Sequence, residues 1–291
     1  MKRLIIPALI VALLAGCTGR PADTTAADTI VDDYGRTVVL GHRPQRIVSA
    51  SPAITELMYA LNQSHRLVGR TDFCSYPAAA DTITSIGGIS NLNVEYILAL
   101  RPDLVIAASM MPEKSVDQLE QMGVPVVCII EKQHYKDLYG NISKLGEVLR
   151  CQADADSLIT SLESQLQGTL SSNIEKRPSI YYVVGFGATG NFTAGGNTFI
   201  NDIIQMAGGY NTAHDIQGWS YSLEALMQSD PDYIVVRRED SATFCHTRPY
   251  NMLSAVRQGR VIGIESGILD LQVPRNIEAI KILHNHIHGN N

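Results

Sequence analysis

Two glutamates stand at matching places in this chain. Glu95 lies seven residues before Pro102-Asp103, which opens the run Leu104-Val105-Ile106, and Glu224 lies seven residues before Pro231-Asp232, which opens Tyr233-Ile234-Val235. Each glutamate follows a capping residue, Asn93 or Ser222, by two positions, which places it in the first turn of a short helix. An acid there interacts favourably with the helix dipole. An exposed carboxylate repeated in both halves also suits a two-point, charge-assisted dock that fixes the orientation of a partner.

Other patterns promise less chemistry. Gly185-Phe186-Gly187-Ala188-Thr189-Gly190 matches GxGxxG after a strand, but turn material from Asn191 to Asn197 follows where a helix must open to aim its amides at a pyrophosphate. No acid stands about twenty residues beyond the first glycine to hold a ribose. His284 and His288 share a helical face that His286 does not, so a solvated chain end is expected there in preference to a metal site. Neither GxSxG nor HExxH occurs. Leu14-Ala15-Gly16-Cys17, after Lys2-Arg3 and the apolar run Leu4 to Leu14, reads as a lipobox, with cleavage before Cys17 and lipidation of its sulfur. The apolar run is too short to span a bilayer comfortably.

The elements that position these residues follow from periodicity. The chain has 291 residues, 45% of them hydrophobic, which suits two lobes better than one core. Loss of Lys2 and Arg3 takes the formal charge from −6 to −8, and an acidic chain without a basic run argues against nucleic acid and against an anionic membrane face. Cys74, Cys128, Cys151 and Cys245 fall in no metal-like spacing, and Cys128, within Val126 to Ile130, reads as a small buried hydrophobe. Residues 1–16 form the leader and 17–29 a flexible tether. A first α/β lobe covers 30–152, opening with a hairpin that turns at Asp33-Tyr34-Gly35. A connecting helix covers 153–175, on which Ala155, Leu158, Leu162, Leu166 and Leu170 share one apolar face. A second lobe covers 176–291. Strands alternating with helices predict mainly parallel sheets, with ligand bound in a cleft beyond the strands' carboxyl ends. The loops there offer Ser51 and the Thr71–Tyr76 segment, chiefly Phe73, on the first lobe, and Phe186, Trp219, Tyr221 and Arg248 on the second. Aromatic faces suit flat conjugated ligands and arginines suit anionic chelates.

The hairpin, Arg46-Ile47-Val48-Ser49, Ser51-Pro52-Ala53-Ile54-Thr55-Glu56-Leu57, Leu98 to Ile106, Phe192-Thr193-Ala194-Gly195-Gly196 and Ala255 to Val261 together resemble one family over nearly all of residues 30 to 288. It is the class of bacterial ABC-importer substrate-binding proteins for ferric siderophores, haem and cobalamin. The resemblance implies two α/β lobes bridged by a single long helix, no chemistry and no intrinsic cofactor. It implies an iron chelate, haem or corrinoid as cargo, delivered to an inner-membrane permease and its ATPase. Glu95 and Glu224 match the family's glutamates that pair with permease arginines. The family's cobalamin binders carry more pocket tryptophans, and the aligned positions here are Ile89 and Ala108, which weighs against cobalamin. The alternatives are cobalamin-specific binding within this class, a nucleotide- or tetrapyrrole-using enzyme of related architecture, or a lipoprotein that scaffolds an outer-membrane receptor. A periplasm-facing position, anchored to the lipid membrane through Cys17, follows from the lipobox. Cys17→Ala is therefore expected to move the protein from the membrane to the soluble exported fraction on cell fractionation; undiminished membrane association would contradict the anchor.

Overall fold

The computed structural model describes residues 28–89, 91–108, 111–170 and 177–289. The leader, Cys17, most of the expected tether and the end of the expected helix past Leu170 lie outside these residues. The described chain opens with an antiparallel hairpin of β1 (Asp28–Val31) and β2 (Thr37–Leu40). At its turn the Asp32 carboxylate accepts the Tyr34 and Arg36 amides at 3.0 and 2.9 Å and the Arg36 guanidinium at 2.7 Å. Gly35 takes φ +74°, a left-handed backbone that glycine adopts without strain.

The first lobe runs β3 (Ile47–Ser49), α1 (Pro52–Ala60), β4 (Leu67–Arg70), α2 (Val94–Ala99), β5 (Leu104–Ala107), α3 (Glu113–Gln121), β6 (Val126–Cys128) and α4 (Asp137–Leu149). Its strands are all parallel in the order β4-β3-β5-β6. After α4 the backbone turns through Arg150 at φ +52°, and α5 (Gln152–Leu170) begins. The second lobe runs β7 (Ser179–Val183), α6 (Phe199–Met206), β8 (Tyr210–Asn211), α7 (Leu223–Ser229), β9 (Tyr233–Arg237), α8 (Arg238–His246), α9 (Ser254–Arg257), β10 (Val261–Ile264) and α10 (Asn276–His288). Its strands are also all parallel, in the order β10-β9-β7-β8. Helix α8 is absent from the sequence expectation, because Arg238 to His246 is mostly polar and buries only Phe244.

Central strands are largely apolar because helices cover both faces, with polar residues only at strand ends, Ser49 in β3, Ser179 in β7 and Arg237 in β9. Ile47, Leu104 and Ile106 point to one side, Val48, Val105 and Ala107 to the other. In the second lobe Ile180 and Tyr182 oppose Tyr181 and Val183 in the same way. One apolar cluster is common to both lobes and takes in Ala155, Leu162 and Leu166 of α5, so the bridging helix is welded into a continuous core. It packs on α4 from one lobe and α10 from the other. Gly146 of α4 sits so close to α5 that a methyl group there would come within 2.6 Å of the Ala155 Cβ. Cys74, Cys128, Cys151 and Cys245 are all free thiols. Burial pushes the Cys128 thiol up to about 11, consistent with a packing residue. Among the described residues no helix is long and apolar enough to cross a membrane.

The repeat noticed in the sequence is a repeat of backbone construction. Asn93 caps α2 by accepting the Tyr96 amide, and Ser222 caps α7 by accepting the Ala225 amide, each at 3.0 Å. Each helix leaves through a left-handed residue directly before its proline, Arg101 at φ +48° and Asp230 at φ +38°. The aspartate after each proline then clips the first strand of its sheet. Asp103 accepts the amides of Gln45 and Arg46 at 2.7 and 2.9 Å, and Asp232 accepts the amide and hydroxyl of Ser179, both at 2.8 Å.

Candidate ligand cleft and docking face

In a strand–helix–strand crossover the strand's carboxyl end and the following helix's amino end lie at the same edge of the sheet. On the first lobe that edge is built from a buried hydroxyl–thiol cluster. Thr55 donates to the Ser49 hydroxyl at 2.9 Å, and the Cys74 sulfur lies 3.2 Å from the Thr55 hydroxyl and 3.1 Å from that of Thr71. The cluster holds the 71–77 loop from below, and the Asp72 amide donates to the Gly87 carbonyl at 2.9 Å. What the loop presents outward is Phe73, 62% exposed, with its ring over Gly88, and Tyr76. Ser51 is only 3% exposed, and its carbonyl accepts the Ser49 hydroxyl.

On the second lobe, residues 185–196 fold back antiparallel to 216–221. Phe192 bridges both Gly185 and Ser220, and the Thr193 and Gly195 amides donate to the Trp219 and Gly218 carbonyls, each at 2.9 Å. A side chain on Gly195 would meet the Ile216 carbonyl at 2.5 Å, so the glycine is required for the two strips to touch. The result is a rim bearing Trp219, 46% exposed, beside Phe192. Phe186 packs edge-on against Phe244 and Tyr250, and Tyr221 is buried against Tyr181. Arg248 is exposed just past α8. The GxGxxG stretch makes a single 3-10 turn, Gly187–Thr189, and returns as an extended strip, so it presents no helix amino end to a phosphate.

Tyr76 closes the segment that the sequence offered with Phe73 foremost, and two further residues at these edges were missed. Phe192 stood inside a stretch read as family motif. Arg238, exposed, follows the central strand β9 directly, and the carboxyl-end rule alone points to it. Among the described residues no group of three metal-ligating side chains occurs. His284 and His288 instead reach the Ala207 and Gly208 carbonyls at the end of α6, at 3.3 and 3.2 Å.

The two lobes meet in a buried ion pair. Arg275, ahead of α10, donates to both carboxylate oxygens of Glu56 in α1, at 2.8 and 2.6 Å, and both side chains are under a tenth exposed. Its guanidinium also lies 3.6 Å from the centre of the Tyr76 ring, with Glu265 at 3.8 Å. Burial pushes the Glu56 carboxyl up against the pull of Arg275, while for Arg275 the bond to Glu56 overcomes burial and holds the guanidinium above its ordinary value. These directions oppose each other for one pair. The paired N–H donors need both oxygens as acceptors, which only the carboxylate supplies, so the pair is ionic. Nearby, Gln272 accepts the Lys132 amide at 3.2 Å and donates to the His134 carbonyl at 2.7 Å, and Asp202 accepts the Tyr135 amide at 3.0 Å.

Glu95 and Glu224 occupy the first turns of α2 and α7, and both are exposed. A groove lined in part by Asn93, Glu95, Gln118 and Met122 opens beside the first.

Three comparisons bear on this architecture. The profile of the family described as Periplasmic binding protein matches residues 47–267. The chain is 30% identical over 296 residues to the uncharacterised ABC transporter substrate-binding lipoprotein YvrC of Bacillus subtilis, covering 94% of this chain and 93% of that protein. It is 27% identical over 274 residues to a cobalamin-binding protein of Halobacterium salinarum, covering 89% of this chain and 73% of that one. A periplasmic haem-binding protein from Pseudomonas aeruginosa superposes with a TM-score of 0.76 at 28% identity, over 83% of this chain and 92% of that one.

The joint gives a direct expectation for stability. Arg275→Met leaves a buried carboxylate unpaired and is expected to cost roughly 3–5 kcal/mol in urea unfolding, whereas Glu56→Met with Arg275→Met is expected to recover most of that loss. A single variant as stable as the parent would show that the pair is not an integral part of the core.

Proposed function

This chain belongs to the periplasmic binding protein family, and we propose that it is the substrate-binding component of an ABC importer, carrying an iron chelate, haem or a corrinoid to an inner-membrane permease and its ATPase. The observation that carries this reading is the pair of aromatic rims at the strands' carboxyl ends, Phe73 and Tyr76 on one lobe, Trp219 and Phe192 on the other. Exposed aromatic faces are costly to leave in water unless a ligand or partner covers them. Arg238 and Arg248 place positive charge on the second lobe, which suits an anionic cargo such as a carboxylate-bearing tetrapyrrole or a ferric chelate. Names among the relatives include both haem and cobalamin binders, so corrinoids stay within the class despite Ile89 and Ala108 at the first lobe's loops.

Glu95 and Glu224 serve as the permease contacts in this reading, supported by their matched construction and by their position at the same sheet edges as the rims. The lipid anchor at Cys17 keeps the protein in the cell envelope facing the periplasm, a reading in line with the lipoprotein relative.

The test titrates the protein with haemin, ferrichrome and cyanocobalamin, following the lone tryptophan, Trp219. The cognate class is expected to quench it, with Trp219→Ala weakening binding by ~1–3 kcal/mol. In the reconstituted importer, Glu95→Ala with Glu224→Ala is expected to abolish uptake of that probe at unchanged affinity. Normal uptake by the double variant would reject the docking role, and no response to any probe would reject the cargo class.

A further inference from the structure

Arg275, directly ahead of α10, holds two things that the sequence keeps far from it: the other lobe's α1 through Glu56, and the ring of Tyr76. Tyr76 closes the same loop that exposes Phe73, and within its own lobe that loop is held by Cys74, seated between the Thr55 and Thr71 hydroxyls, and by the Asp72 amide, which donates to the Gly87 carbonyl at 2.9 Å. Phe73 lies three residues before the position held by the opposite lobe, and the Ser75 amide, next to Tyr76, donates to the Phe73 carbonyl at 3.1 Å, so a tight turn joins the two rings. Arg275 is buried and lies beneath Tyr76, whereas Tyr76 and Phe73 keep exposed surface.

We propose that Arg275 is a positioning residue for the cleft: clamped by Glu56, it seats Tyr76 and thereby sets the stance of Phe73, so that the first lobe's aromatic wall is registered to the second lobe. This rests on the binding-protein reading of the rims. A guanidinium is suited to the task because its planar fork grips a carboxylate with two bonds while its flat face stacks on a ring. A lysine keeps the charge but offers neither fork nor flat face. The consequence is that ligand affinity depends on Arg275 only through Tyr76, although Arg275 need not touch the ligand.

One set of variants tests this with and without a ligand. In a full-length Trp219→Phe background, Phe73→Trp places a single indole at the loop, and acrylamide quenching reports how freely it stands. Arg275→Lys and Tyr76→Leu are each expected to raise the quenching constant by a similar amount, and together by no more than either alone. Tyr76→Phe, which keeps the ring, is expected to match the parent. With Trp219 and Phe73 intact, absorbance titration with haemin, ferrichrome or cyanocobalamin is expected to show about tenfold weaker binding for Arg275→Lys when Tyr76 is present and no change when it is Leu. Additive effects, or an unchanged quenching constant in Tyr76→Leu, would overturn the proposal. Should Arg275→Lys fail to fold, the contrast between Tyr76→Phe and Tyr76→Leu still decides it. Should no probe bind, the importer reading falls, while the quenching arm still tests the positioning role.

Discussion

Placing Glu56 and Arg275 out of water at the meeting of two lobes carries a desolvation cost of several kcal/mol per charge, which only a near-ideal geometry offsets. Two short bonds to one carboxylate and a ring over the guanidinium supply that geometry, and each requires the lobes to sit where they do. A small relative displacement would strand both charges. The pair is thus a constraint on arrangement more than a source of net stability. The neighbouring bonds through Gln272 and Asp202 extend the same joint along the boundary.

The bridging helix acts in the same direction by other means. Its apolar face belongs to the cluster common to both lobes, and Gly146 lets α4 lie against it at close range. Lobes connected by extended strands can swing, because strands twist at little cost. Lobes that share a packed core around one helix cannot separate without opening cavities in that core. On the proposed function, the aromatic rims would form walls of a preformed cleft, and cargo entry would ask for side-chain adjustment more than domain closure.

Much of this was legible in the sequence for identifiable reasons. The parallel sheets follow from unbroken apolar runs such as Leu104 to Ala107, and the α5 face from its spaced leucines. The glutamate repeat was readable because capping and Pro-Asp signals are local, and they recur in the structure together with a shared left-handed exit that only the backbone reveals. The Glu56–Arg275 pair was not legible: its partners lie 219 residues apart, and Glu56 reads as an ordinary helical acid. Ser51 and Tyr221, proposed as ligand contacts from their loops, lie beneath the surface, because a loop's position along the chain does not say which of its side chains faces inward. Helix α8 escaped notice for the converse reason, having almost no buried face to create a periodic pattern.

The central claim is that the two lobes keep one spacing with or without cargo. Electron–electron distance measurements test it most directly, with spin labels at Lys114→Cys on α3 and Arg257→Cys on α9. The protein would lack its leader and carry Ser at Cys17 and Cys245, leaving Cys74, Cys128 and Cys151 buried. One narrow distribution is predicted for the unliganded protein, its mean moving by less than about 2 Å on saturation with haemin, ferrichrome or cyanocobalamin. A broad or two-component distribution before ligand is added, collapsing to a shorter distance afterwards, would contradict it.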